Sequence, residues 1–391
     1  MCIGIICAVA ATAGSALAKA PARGGIEGRW DITVTEGNDK YPCWLGVQMV
    51  EGKQVAKFLG RAGGVGKLDE NNLKFEDGTV KFNAWGRDWT GKVEGNTIDG
   101  TWKKNDGEGK WTAKRFNRKM DVSGTWSLTI GDKKATLKLQ AKKRNIDGTW
   151  SEGGKDVAIS QAERKGGQIT FKAGEQSVSL SLKGDVATGA AGEAKITGQR
   201  ERKWGKPIEL FAGKEEDLKA NWEGLGTELK SWKVIDGIMT NGTTTDPEKA
   251  GHGSENLVTK RKDFNNFKLH VEFMVPPHGN SGVYLRGRYE VQVQDDFGKP
   301  LVDGVCGSLY TRVLPKVNAC KKAGEWQTYD IELVDGFLTV LQNDQKIIDN
   351  AEVEGITGGA IDSNEAEPGP IYLQGDHSQI FYRKVVLTPA E

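Results

Sequence analysis

A chain of 391 residues with 52 glycines and only 11 prolines has room for two to three domains, and its regularly recurring apolar residues exclude a disordered polymer. The 54 Lys and Arg against 53 Asp and Glu leave a formal charge of +1, which excludes the broad positive field that a nucleic-acid partner needs. Short Val, Ile, Thr and Trp runs between glycine-rich turns predict strands almost throughout.

The chain begins with an apolar run at 3–11, far shorter than the roughly 20 residues that cross a bilayer, so no transmembrane span is expected. Small residues follow, and Ala16-Leu17-Ala18 before Lys19 fits a small-x-small cleavage site. A signal peptide over 1–18 is therefore expected, although it lacks a basic start, and with it export to the periplasm or the extracellular space. Past that leader Cys43, Cys306 and Cys320 remain, an odd count that does not suggest a disulfide scaffold. Cys306 and Cys320 either pair in an oxidising compartment or lie buried as small apolar residues. With four His and no CxxC, a structural zinc site is not expected.

Residues 25–200 read as an N-terminal β domain built of two related repeats. Gly28-Arg29-Trp30-Asp31-Ile32-Thr33-Val34 resembles Gly124-Thr125-Trp126-Ser127-Leu128-Thr129-Ile130, and the string Ile98-Asp99-Gly100-Thr101-Trp102 recurs at Ile146 to Trp150. Alternation such as Ala135-Thr136-Leu137-Lys138-Leu139-Gln140 gives each antiparallel meander one buried and one wet face. The repeats can close into a barrel or pack as a sandwich. Trp44, Trp85, Trp89, Trp102 and Trp111 are candidates for exposed, sugar-stacking rings, against the plainer expectation that most fill the core; Trp30, Trp102, Trp126 and Trp150, at equivalent repeat positions, are expected inside.

After the charged connector Arg200-Glu201-Arg202-Lys203, residues 204–391 read as a second domain. One short helix is expected over 215–222. Strands are expected at 267–274, 282–286, 289–294, 327–334, 337–342, 370–374 and 380–387. Period-two alternation puts Phe267, Leu269, Val271 and Phe273 inward and leaves His270 and Glu272 outward; Val283 and Leu285 go in, Tyr284 and Arg286 out; Val291 and Val293 go in, Glu290, Gln292 and Gln294 out; Ile371 and Leu373 go in, Tyr372 and Gln374 out. Polar residues on the wet face of a sheet are ordinary. Glu, Gln, Arg and Tyr gathered on one concave face, however, suit hydrogen bonding to hydroxyls and carbonyls. Asn280, in the loop Asn280-Ser281-Gly282, can reach the rim.

The ordered set Glu209-Leu210-Phe211-Ala212-Gly213-Lys214, Asn280-Ser281-Gly282-Val283-Tyr284-Leu285-Arg286, Tyr289-Glu290-Val291-Gln292, Gly307-Ser308-Leu309-Tyr310, Gly324-Glu325-Trp326-Gln327-Thr328-Tyr329 and Ile371-Tyr372-Leu373-Gln374 resembles the 3-keto-disaccharide hydrolase family across nearly all of 204–391. That resemblance implies a two-sheet jelly-roll sandwich of the concanavalin A-like type, so that the whole chain is all-β. It does not extend over 25–200. Laminarinase-like glucanases of that fold carry Glu-x-Asp-x-x-Glu on a strand, whereas the string here is Glu290-Val291-Gln292-Val293-Gln294-Asp295. Glu290 then has amides beside it rather than the second carboxylate that retaining hydrolysis places about 5–5.5 Å away.

The resemblance implies different chemistry on a glycoside substrate: a ketone at C3 acidifies the C2 proton, the C1 substituent leaves by β-elimination, and water adds back. This needs a base and a stabiliser of the enolate oxygen. His377 and Glu290 are the candidate bases, His270 a weaker one, and Arg286 the candidate stabiliser. Glu272, Asn280, Tyr284, Gln292, Tyr310 and Gln374 are candidates for binding the sugar. No cofactor is assigned, and a divalent cation on Glu272, Glu290 or His377 is an open alternative. The rival reading is a non-catalytic glycan-binding module using the same groove.

Overall fold

The computed structural model describes residues 25–391 except 62, 106, 119, 143 and 144. The expected signal peptide lies outside the described residues. Among the described residues no helix is long and apolar enough to cross a membrane.

The two repeats each close around a core of their own. The first is a nine-stranded antiparallel meander in which Gly28–Glu36 pairs with both Asp39–Val50 and Gly107–Arg115. Its interior holds Trp30, Phe58, Phe82, Trp89 and Trp111, with Phe82 stacked on Trp89 at 5.5 Å between centroids. Rings this large fit because glycines face them: a Cβ on Gly100 would come within 2.4 Å of Trp111. The second is a closed eight-stranded barrel from Gly124–Ile130 to Ala194–Arg200, sealed by the pairing of those two strands. Trp30 donates its indole N–H to the Ile26 carbonyl at 2.8 Å, and Trp126 does the same to Val122 at 3.1 Å. An arginine lies over each ring, Arg115 over Trp30 and Arg200 over Trp126. The repeated Gly-x-Trp string is thus a repeated closure device. Of the five tryptophans considered as exposed rings, Trp85 alone is exposed, at 53%; Trp44, Trp89, Trp102 and Trp111 are buried.

Residues beyond the connector form a sandwich of an eight-stranded and a five-stranded sheet. Leu269, Val271 and Phe273 on Phe267–Met274 meet Val283, Leu285, Val291, Val293, Ile371 and Leu373 of the smaller sheet in one apolar core. The helix Glu215–Asn221 starts where Asp217 accepts the backbone N–H groups of Ala212 and Lys214 at 2.9 and 3.3 Å. Cys306 and Cys320 are free thiols buried together beside Tyr329 and Gln342.

The first repeat is docked on the sandwich through apolar burial. Trp44 and Leu59, on the adjacent strands Asp39–Val50 and Lys53–Leu59, are fully buried in the sandwich's own core rather than in their own barrel. A Cβ on Gly355 would lie 2.5 Å from the Trp44 ring, and the Arg312 guanidinium covers it at 4.7 Å. Around this plug, Arg29 pairs with the buried Glu365 at 2.8 Å, and Asp31 accepts the Glu365 N–H at 3.1 Å. Burial, reinforced by the Glu365 charge, pushes the Asp31 carboxyl up to about 8. The closed barrel contacts the sandwich through Arg202, which bonds Asp185 at 2.7 Å and reaches Asp335 at 3.4 Å.

Truncating Trp44 opens a cavity between two modules at once. Trp44→Ala is expected to cost about 3–5 kcal/mol of stability. In chemical denaturation followed by circular dichroism this should appear as a lowered midpoint; an unchanged midpoint would show that the plug contributes little.

Candidate functional site

The five-stranded sheet runs, in spatial order, Trp222–Gly224, Leu257–Thr259, Tyr372–Leu373, Asn280–Leu285 and Tyr289–Gln294. Register sets Tyr284 between Glu290 on one neighbour and Tyr372 on the other, and Gly282 opposite Gln292. Tyr284 and Tyr372 stack with centroids 4.2 Å apart. Gly282 is small by necessity, since a Cβ there would fall 2.3 Å from the Glu290 carboxyl. The Gly307–Tyr310 segment extends the edge: Tyr310 N–H bonds the Glu290 carbonyl at 3.0 Å, and Gly307 N–H bonds that of Gln292 at 2.8 Å. Tyr310 is carried beside Glu290 in this way.

These residues line a groove of about 340 Å³ whose wall holds Asn256, Asn280, Tyr284, Glu290, Gln292, Tyr310, Tyr372, Gln374, Asp376 and His377. The sheet face expected to be wet is instead covered: Tyr284, Glu290, Gln292, Tyr372 and Gln374 are all below 8% exposed. The amide oxygens of Asn280, Gln292 and Gln374 are buried and accept no hydrogen bond from the protein. Buried polar atoms are nearly always paired, so these three oxygens have capacity to accept from hydroxyl groups placed in the groove.

Electrostatics divide the titratable residues. Burial, with a smaller push from the Asp376 charge and against the lowering effect of the nearby Tyr284 hydroxyl, raises the Glu290 carboxyl to about 8. It is therefore protonated at neutral pH and can donate a hydrogen bond. Asp376 is exposed and held by Asn256, whose amide donates to it at 3.0 Å while its oxygen accepts the Gly375 and Asp376 N–H groups at 2.8 and 3.2 Å. His377 Nδ1 lies 2.6 Å from the Asp376 carboxylate, which favours a proton on Nδ1 and leaves Nε2 as the basic nitrogen.

Seven of the ten residues singled out from the sequence meet in this groove, His377, Glu290, Asn280, Tyr284, Gln292, Tyr310 and Gln374, and His270, on the other sheet, is not among them. Arg286 and Glu272 are also outside it. Arg286 stands just past the end of Asn280–Leu285, in the hairpin turn at φ +54°, where strand alternation no longer holds. Its guanidinium bonds the carbonyls of Glu365 and Glu367 and lies over Tyr289, in a different cavity. Glu272 lies on the eight-stranded sheet, bonded to Arg383 and 3.4 Å from His270. Alternation assigns a residue to a face of its strand but not to one of two sheets, so the cation set of Glu272, Glu290 and His377 is not assembled. Among the described residues no group of three or more His, Cys, Asp or Glu is arranged to hold a metal ion.

Sequence reasoning left Tyr372, Asp376, Asn256, Gly358, Gly359 and the N-terminal Arg61 and Gly63 out of the site. The pair Gly358-Gly359 was a readable signal of close approach: Tyr284 donates to the Gly358 carbonyl at 2.7 Å, and a Cβ on Gly359 would lie 2.4 Å from that hydroxyl. Nothing local to Arg61 or Gly63 could have revealed them.

A two-sheet sandwich with a polar, aromatic-floored groove defines a carbohydrate-active domain, preceded here by a nine-stranded meander and a closed eight-stranded barrel. Residues 206–388 match the model of the 3-keto-alpha-glucoside-1,2-lyase-like domain, and the chain belongs to that family through this segment. No curated protein matches. Similar solved structures include three, each named a "putative glycosyl hydrolase", from Parabacteroides distasonis ATCC 8503. One is 35% identical, covering 46% of this chain and 82% of that one, with a TM-score of 0.38. The others are 20% and 22% identical, covering 47% and 46% of this chain and 94% and 98% of theirs, with TM-scores of 0.37 and 0.35.

A carboxyl that is neutral inside and ionised in the unfolded chain destabilises the fold as pH rises. The stabilising proton is present below about 4.5 and is lost as pH passes through about 8. Between those limits the slope is on the order of 1.4 kcal/mol per pH unit for this one group. Glu290→Gln should flatten that part of the stability profile, measured by urea denaturation from pH 4 to 9; a parallel profile in the variant would refute the buried, protonated carboxyl.

Proposed function

We propose that the protein is an exported enzyme that cleaves 3-keto-glycosides by deprotonation at C2 and β-elimination, followed by hydration. The observation that carries the reading is the pairing, in one groove, of a neutral Glu290 with an Asp376-oriented His377, beside three unsatisfied amide oxygens. The family of the segment 206–388 supports the same substrate class. Export rests on the leader sequence alone, and N-terminal sequencing of the mature protein should begin at Lys19.

In this scheme His377 Nε2 takes the C2 proton. The C–H electron pair forms C2=C3 as the carbonyl pair moves onto O3. The protonated Glu290 donates to that oxygen, a role a carboxylic acid can play only where burial keeps it neutral. Collapse of the enolate restores the ketone, forms C1=C2 and expels the C1 oxygen, which receives the proton held by His377. Water then adds across C1=C2. Asn280, Gln292 and Gln374 accept hydrogen bonds from sugar hydroxyls, and Tyr310 lines the same wall.

The test incubates purified protein with a 3-keto-disaccharide and its unoxidised parent, each with and without chelator. Turnover of the keto sugar alone supports the elimination; cleavage of the parent refutes it; retention of glycans without turnover supports a binding module. For the active protein, His377→Ala and Glu290→Gln should each lower kcat about 10²–10⁴-fold. Wild-type activity should fall above about pH 8 as Glu290 ionises. Full activity of Glu290→Gln, or no alkaline decline, would remove Glu290 from the chemistry.

A further inference from the structure

Part of the groove wall comes from outside the lyase-like segment. Arg61 and Gly63 of the first barrel line the same groove as Glu290 and His377. Their position follows from the apolar plug: Leu59 is buried in the sandwich core, and the chain runs directly from it into Gly60 and Arg61. There Gly63 N–H bonds the Gly60 carbonyl at 3.1 Å, and Gly60 N–H bonds that of Gly64 at 3.4 Å, closing a turn.

Glycine is required on both sides of this turn. On one side lies the Trp85 indole, which a Cβ on Gly60 or Gly64 would meet at 2.6 or 2.8 Å. On the other lies Gly358, where a Cβ would fall 2.6 Å from the Gly63 Cα. The turn is thus clamped between Trp85 and the backbone whose carbonyl holds the Tyr284 hydroxyl, itself stacked in the groove floor. Arg61 projects from the clamped turn with its guanidinium 4.7 Å from the Tyr41 ring centroid. Its carboxylate contacts are long, 3.4 Å to Asp39 and 3.9 Å to Glu36, and Glu36 is already bound by Arg87 at 3.2 Å. Tight charged hydrogen bonds are nearer 2.7–2.9 Å. The five-donor fork therefore keeps capacity for a further acceptor, and its side chain is 56% exposed.

We propose that the turn carrying Arg61 is the leaving-group subsite, and that Arg61 is a specificity-determining residue that hydrogen-bonds the oxygens of the sugar attached at C1. This rests on the reaction proposed above. The residues argued to serve C1 to C3 all come from the sandwich; a donor-only side chain on the facing module suits the rest of the substrate, which presents hydroxyl and ring oxygens and no reacting atom. The N-terminal barrel then becomes part of the enzyme's recognition surface rather than an appendage.

The test compares wild type with Arg61→Ala in the full chain, using 3-keto forms of α-glucosyl disaccharides (trehalose, sucrose and maltose) and methyl 3-keto-α-glucoside, which lacks a second sugar. A hydrogen bond from a charged donor is lost only with the disaccharides, so the ratio of kcat/KM, best disaccharide over methyl glycoside, should fall about ten-fold or more in the variant. Arg61→Lys should recover part of the ratio, because an ammonium keeps the charge without the planar fork. An unchanged ratio overturns the proposal, as does an equal loss on both substrates. If wild type turns over none of them, the reaction fails and the subsite is read by calorimetric titration with the unoxidised sugars. There Arg61→Ala must weaken the best disaccharide about ten-fold relative to methyl α-glucoside; equal binding, or no binding by wild type, overturns the subsite as well.

Discussion

The insertion of Trp44 and Leu59 into the sandwich core fixes the relation between the first barrel and the groove. Two large apolar side chains that leave their own barrel to be buried in a neighbour's core make a contact that cannot slide without exposing both. The Trp44 indole fits only because Gly46 and Gly355 lack side chains, each with a would-be Cβ within 2.6 Å of the ring. Polar contacts surround it: the Arg29–Glu365 pair, the Asp31 carboxyl, and the Gln48 and Lys57 bonds to Glu354. Hydrophobic burial supplies the affinity of such a contact, and the surrounding polar groups supply its register.

Inside the groove a second constraint acts, which is the scarcity of water around Glu290. The carboxyl stands in the space left by Gly282, next to two stacked tyrosines and two glutamines, with no basic side chain bonded to it. Arg286, which could have held it ionised, is turned away by its positive φ and spends its guanidinium on loop carbonyls. Burial with no basic side chain beside it keeps the Glu290 carboxyl neutral, whereas the Asp376–His377 pair is exposed.

Much of this is legible in the sequence. Alternation placed Tyr284, Glu290, Gln292 and Gln374 on one face because antiparallel strands enforce a period of two, and they do share that face. The Gly-x-Trp repeats pointed to equivalent buried rings, and Trp30 and Trp126 make the same indole bond four residues upstream. What failed did so at the ends of that logic. Arg286 lies one residue past the strand, in a turn; Glu272 obeys alternation but belongs to the other sheet; and the face read as wet is roofed by loops whose course no local pattern encodes. Arg61 and Gly63 reach the groove only through a tertiary docking more than 200 residues distant in sequence from the residues they face.

The glycine-to-glycine contact between Gly63 and Gly358 has a consequence for inheritance of the parts. A side chain at Gly358 would fall 2.6 Å from the Gly63 backbone, so a larger residue there requires the two segments to move apart. A lyase-like segment cut out at its own boundaries would carry an empty apolar socket at Gly355 where the indole had been. It would have to meet solvent with that socket or recruit another chain to fill it. The lyase-like segment and the first module are thus joined by an apolar contact at Trp44 as well as by the chain.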